Sequence, residues 1–233
     1  MLNVEQFRYG ADNLAYLIYG ATQAMAIDGG AWQEILSFLE SNSLSLKFVT
    51  NTHQHYDHMP GNDHLLKATR ARFLNSATFP DNYPIMIDSE TVTVCRTPGH
   101  TDDSVCFYTG QALIAGDTLF NGTVGNCFSG NLKNFYLSIK RLMSLPDDTV
   151  IYAGHDYVRD SLAFARRLEP GNKDIDAFRN SYDPDHVYST IADERRINPY
   201  LRFNEEPIVN LLKENNLPHA TESERWHSLM SIE

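Results

Sequence analysis

The chain has 233 residues, 42% of them hydrophobic and 21% charged. That suits one large domain, or a domain with a small appendage, and excludes a disordered or fibrous chain. A net charge of −11 argues against nucleic acid as a partner, because an acidic surface repels a phosphate backbone.

The first strands read from the pattern are 13–19 and 24–28, joined by a turn at 19–22. Gly29-Gly30 breaks the pattern, and Trp32, Ile35, Leu36 and Leu39 then recur at helical spacing, which predicts an amphipathic helix over 31–42. A strand at 46–51 runs straight into a histidine-rich segment. A helix over 62–70 and a β-branched strand over 91–96 follow. Segments 104–108 and 112–115 flank Thr109-Gly110-Gln111 as a hairpin. Leu132, Phe135, Ile139, Leu142 and Met143 mark a helix over 131–144, followed by a strand at 149–153 and a helix at 157–168. Such interleaving predicts a layered α/β protein. Glu169-Pro170-Gly171-Asn172 reads as a boundary, dividing a main domain, 1–169, from a helical tail, 170–233. In the tail, Pro207 suits a helix start, and Thr221-Glu222-Ser223-Glu224 fits a capping box.

The chemistry concentrates in Thr52-His53-Gln54-His55-Tyr56-Asp57-His58, where four potential metal ligands fill six residues after a strand. In extended backbone, His53 and His55 point the same way and can meet on one ion. A turn after them lets Asp57 and His58 face a second. Three more candidates each follow a strand: His100 in Thr97-Pro98-Gly99-His100-Thr101, Asp117 in Ala115-Gly116-Asp117-Thr118, and His155 in Tyr152-Ala153-Gly154-His155-Asp156. A lone histidine or a Gly-Asp turn means little by itself, but four such segments together point to a metal centre. The set contains no cysteine, unlike most structural zinc sites.

These motifs resemble the metallo-β-lactamase superfamily, and within it glyoxalase II, the hydroxyacylglutathione hydrolases. The second likeness extends through Phe164-Ala165-Arg166, Glu169-Pro170-Gly171-Asn172 and Asn198-Pro199-Tyr200-Leu201-Arg202. The resemblance implies an α/β fold, an αββα four-layer sandwich, with a small C-terminal helical domain. It implies that His53, His55 and His100 bind a first metal, that Asp57, His58 and His155 bind a second, and that Asp117 bridges them. The cofactor expected is two divalent metal ions, zinc first, with iron or manganese as alternatives. Two such ions make hydroxide available near neutral pH, with Asp57 and Asp117 as the catalytic carboxylates. A small-molecule thioester suits this site, because a thiol of pKa about 8.5 leaves with little protonation.

In the family, the loop after the Gly-Asp-Thr-Leu-Phe motif carries a basic residue and an aromatic. Here Asn126 and Phe128 stand at those places, and Tyr157 matches a further substrate contact. Asn126 brings no charge for a glutathione carboxylate, so an altered glutathione site is expected. Alternatives on the same fold are a mononuclear iron sulfur (persulfide) dioxygenase, or a hydrolase of another ester or lactone. Cys95, Cys106 and Cys127 are too few and scattered for a disulfide framework. No apolar stretch approaches the roughly 20 residues of a membrane span, and the opening MLNVEQFRYGADN lacks a signal-peptide pattern. A cytoplasmic enzyme with no membrane partner is therefore expected, its oligomeric state left open.

Overall fold

The computed structural model describes residues 1–232. In chain order its elements are β1 (Asn3–Tyr9), β2 (Asn13–Tyr19), β3 (Gln23–Ile27), α1 (Trp32–Ser41), β4 (Ser45–Thr50), α2 (Asn62–Ala68), β5 (Arg72–Leu74), β6 (Tyr83–Ile87) and β7 (Glu90–Arg96). Then come β8 (Val105–Tyr108), β9 (Ala112–Gly116), β10 (Leu119–Phe120), β11 (Thr123–Val124), α3 (Leu132–Leu142), β12 (Val150–Ala153) and α4 (Val158–Leu168). The tail holds α5 (Lys173–Ser181), β13 (Ser189–Thr190), α6 (Ile191–Ile197), α7 (Glu206–Glu214) and α8 (Glu222–Met230).

Two main sheets form, ordered β1-β2-β3-β4-β5 and β13-β12-β9-β8-β7-β6. Side-chain alternation decides how they pack. Leu14, Tyr16 and Ile18 of β2 join Val92 and Val94 of β7 and Ile114 of β9 in a core between the sheets. The intervening Ala15 and Leu17 face outward onto Ile35 and Leu39 of α1 and Leu65 of α2. On the other sheet, Leu113 and Ala115 face outward onto Phe135 and Ile139 of α3 and Trp226 of α8. Strands buried on both faces read as continuous apolar runs, as Asn13–Tyr19 does. The layers are helix, sheet, sheet, helix: the expected αββα sandwich.

The predicted elements recur within a residue or two, including the hairpin, in which Phe107 pairs with Ile114 and Tyr108 with Leu113. The tail is mainly helical, and the Thr221 capping box forms with Glu224. It also adds one short strand, β13, antiparallel to β12. Among the described residues no helix is long and apolar enough to cross a membrane.

Candidate metal centre

All seven candidate donors lie beyond the C-terminal ends of strands. His53 to His58 follow β4, with Tyr56–His58 forming a short 3-10 turn. His100 follows β7, Asp117 follows β9 and His155 follows β12. They gather into two groups, His53, His55, His100 and Asp117, and Asp57, His58 and His155, each with ligand atoms within 4.8 Å of one another. His55 Nδ1 faces His53 Nε2 at 2.9 Å and His100 Nε2 at 3.1 Å, while His155 Nε2 lies 3.3 Å from His58 Nε2. Asp117 sits between the groups. Its Oδ2 is 3.5 Å from both His100 Nε2 and His155 Nε2, and its Oδ1 is 3.5 Å from His58 Nε2. Asp117 Oδ1 is buried without a hydrogen-bond partner. Convergent imidazole nitrogens around an unpartnered carboxylate oxygen fit a divalent cation, which accepts all of them at once.

Four of the five rings are turned by a contact on their far side, which fixes the nitrogen presented inward. His155 Nδ1 meets Asp12 Oδ1 at 2.9 Å, and His100 Nδ1 donates to the Asn126 carbonyl at 2.8 Å. His53 Nδ1 lies 3.1 Å from Thr52 Oγ1. His58 Nδ1 is 3.1 Å from Asp28 Oδ2, an ion-pair distance but off the line of a straight hydrogen bond. Four histidines therefore present Nε2, and His55 alone presents Nδ1. Asp28 is fully buried and also accepts from Thr52 N–H at 2.8 Å and Thr52 Oγ1 at 2.7 Å, so it anchors the start of the histidine segment. From the β1–β2 hairpin, Tyr9 Oη donates to the Asp57 carbonyl at 2.8 Å and Asn13 Nδ2 to Asp57 Oδ2 at 3.1 Å.

The electrostatics follow from burial and neighbours. Burial, then repulsion from His58, pushes His53 down to about 2, and burial lowers His100 as well. Neutral imidazole is the metal-binding form. For His58, burial opposes the charge, but Asp28 and Asp117 outweigh it and raise the ring to about 11. Burial also opposes ionisation of Asp117, yet the surrounding imidazoles, His58 foremost, hold it well below the usual carboxylate range.

The three predicted substrate contacts line the rim. The Phe128 ring is exposed and meets His100 and His55 edge-on, with centroids 5.2 and 5.5 Å away. Tyr157 stacks on His155 at 4.9 Å and touches Phe120 at 5.1 Å. Asn126 is exposed, and its contact with the centre is the carbonyl on His100.

The metallo-beta-lactamase superfamily model matches residues 9–78 and 78–155, and the hydroxyacylglutathione hydrolase C-terminus model matches 156–229. A curated hydroxyacylglutathione hydrolase from Chromohalobacter salexigens is 35% identical, over 92% of this chain and 92% of its own. The chain belongs to the glyoxalase II family of the metallo-β-lactamase superfamily. A second glyoxalase II relative, the hydroxyacylglutathione hydrolase of Psychromonas ingrahamii, is 32% identical, with 91% of each chain covered. Among solved structures, ETHE1 from Myxococcus xanthus superposes with a TM-score of 0.69 at 26% identity, covering 97% of this chain and 99% of that one. The BLEG-1 B3 metallo-beta-lactamase, at 20% identity and a TM-score of 0.65 over 85% of this chain and 99% of its own, shares the fold.

Sequence reasoning missed the residues behind this glyoxalase II-type centre: Tyr9, Asp12, Asn13 and Asp28. Asp28 had a legible signal, an acidic residue ending an apolar strand just before Gly29-Gly30. The others look like ordinary hairpin residues.

Proposed function

We propose that the chain is a binuclear-metal thioester hydrolase that converts S-lactoylglutathione and water to lactate and glutathione. His53, His55 and His100 would hold one ion, Asp57, His58 and His155 the other, with Asp117 shared. One observation carries the reading: two adjoining donor groups meet on the two oxygens of one carboxylate, Asp117. Zinc is the metal assigned first, with iron and manganese as alternatives for a mixed imidazole and carboxylate set. When bound, two such cations lower the pKa of a water toward neutrality and offset charge developing on a carbonyl oxygen.

The protein's own groups do the rest. Asp57 is part-exposed, and its carboxylate is steadied by Asn13, so it accepts a hydrogen bond from the attacking water and aligns it. Asp117 stays ionised in the buried floor. Phe128 and Tyr157 flank the opening and give the substrate apolar faces to lie against. The thiolate leaves without a protein acid. Asn126 supplies no cation for a carboxylate of the thiol, so the glutathione contacts are altered. The mononuclear dioxygenase reading has less support, since a second donor group adjoins the first and the curated relatives named above are hydroxyacylglutathione hydrolases.

Helices α5 to α8 are assigned to a C-terminal helical domain, 170–233, and the enzyme to the cytoplasm. Three free cysteines are in keeping with a reducing compartment. The deciding experiment is hydrolysis of S-lactoylglutathione beside a panel of other thioesters, esters and lactones, with metal content measured on the same sample. The expected result is two ions per chain and thioester hydrolysis. Activity on lactones alone, or oxygen uptake with one iron per chain, would retire the proposal.

A further inference from the structure

Asn198, which opens the Asn198-Pro199-Tyr200-Leu201-Arg202 segment, is fully buried, as is Glu194 one helical turn earlier on α6. Both reach a single tight turn. Gly122 N–H donates to the two Glu194 oxygens at 3.1 and 3.0 Å. Asn198 Nδ2 donates to Glu194 Oε2 at 2.7 Å and to the Thr123 carbonyl at 3.0 Å. Asn198 is itself held, because its Oδ1 accepts from Tyr200 N–H at 3.0 Å. The gripped turn joins β10 to β11, and Gly122 takes φ +95° there, a conformation that strains any other residue.

That turn is the root of the loop walling the first donor group. At Gly125 an added Cβ would fall 2.0 Å from the Asp117 carbonyl and 2.9 Å from His100 Nδ1, so the backbone lies flat against both. The Asn126 carbonyl then accepts from His100 Nδ1 at 2.8 Å, and Phe128 covers the His100 and His55 rings. At its far end the loop is tied back to the His100 turn, through Ser129 Oγ to the Gly99 carbonyl at 2.6 Å and Ser129 N–H to the His100 carbonyl at 3.2 Å. The root at 122–123 therefore links the loop to structure outside the site.

We infer that Glu194 and Asn198 are positioning residues: they clamp the Gly122-Thr123 turn, and through it set the Asn126 carbonyl that aims His100. The clamp couples the C-terminal helices to the first donor group and leaves Asp57, His58 and His155 untouched. A carboxyl side chain suits this place. Gly122 N–H and the Asn198 amide both hydrogen-bond to it, and a carboxyl group offers them two oxygens. Glutamine keeps one acceptor and turns an NH2 against donors.

The inference rests on the metal-centre reading. Its test is cobalt(II) titration of the full chain, followed by visible absorption, for wild type, Glu194→Ala, Glu194→Gln and Asn198→Ala. Of two binding events, one should weaken 10–100-fold in Glu194→Ala and Asn198→Ala, the usual effect of removing support behind a ligand, while the other stays within about twofold. Glu194→Gln should fall between. On any thioester the wild type hydrolyses, kcat should drop more than KM rises. If Glu194→Ala does not fold, Asn198→Ala and Glu194→Gln carry the same readout. Unchanged affinities, or equal weakening of both events, would overturn the clamp. A wild type that binds two cobalt ions but cleaves no thioester would retire the hydrolase reading alone, with the titration still deciding the clamp. A wild type that binds no cobalt overturns both.

Discussion

Asp28→Asn is the sharpest perturbation of the centre, because it changes one atom and no volume. Asp28 Oδ1 accepts the buried Thr52 N–H at 2.8 Å, so the amide oxygen of asparagine must occupy that place. The amide NH2 then points at Thr52 Oγ1 and at His58 Nδ1, which lie 2.7 and 3.1 Å from Oδ2 in the native protein. A donor facing Nδ1 favours the tautomer protonated at Nε2, and Nε2 is the nitrogen turned toward His155 and Asp117. Binding a cation then requires returning that proton to Nδ1 against the new amide. Changes to groups hydrogen-bonded behind a ligand typically lower metal affinity about 10–100-fold, or roughly 1.4–2.7 kcal/mol, and the loss should fall on the Asp57, His58 and His155 group. Asp28→Ala is a different experiment. It strips two charged hydrogen bonds at about 1.5–3 kcal/mol each, a large share of the roughly 5–15 kcal/mol that holds a domain together. Competition against a chromophoric chelator, with urea unfolding of the metal-free protein alongside, separates the two effects. Asp28→Asn with both ions bound at native affinity would refute the tautomer argument.

Glu194 is pushed up to about 7, mainly by burial. A carboxyl raised in the folded state gives stability that is complete below its unfolded pKa and fades as pH climbs through the folded value. Wild type should therefore lose up to roughly 3 kcal/mol relative to Glu194→Gln between pH 4.5 and 8, read from urea midpoints; parallel curves would contradict it. Arg202→Ala should destabilise by about 3–5 kcal/mol. Arg202 forks onto Glu169 at 2.8 and 2.9 Å, and Glu169 is only 2% exposed; lysine, which cannot fork, should restore little in the same denaturation assay. Phe128→Ala should raise KM roughly 2–10-fold with kcat nearly constant, the worth of one aromatic face; steady-state kinetics on the preferred thioester decide it. Chelation should abolish hydrolysis and lower the melting temperature, by the equivalent of about 2.7 kcal/mol for each site previously held at a hundred times Kd.

Much of this was legible in the sequence because the donors obey a local rule: each follows a strand whose apolar run announces it. Strand β9 is one such run, and Asp117 sits directly after it. Weaker elements escaped notice for identifiable reasons. Strand β1 is an edge strand of mixed polarity, β6 contains Pro84 among exposed residues, and β10, β11 and β13 are only two residues long. What supports the donors was least visible. Asp12 reaches His155 across 143 positions and Glu194 reaches Gly122 across 72. No periodicity or short motif encodes a contact that forms only when distant segments meet.

The donors are shared between two sheets. His53, His55, Asp57 and His58 hang from the β4 end, whereas His100, Asp117 and His155 hang from β7, β9 and β12. Neither half of the chain can complete a ligand set, so metal capture must wait until the sheets dock and would then rivet them along one rim. A nascent or refolding chain would thus pass through a stage with formed strands and no grip on metal. Uptake of a coloured ion would time the moment at which the two halves close.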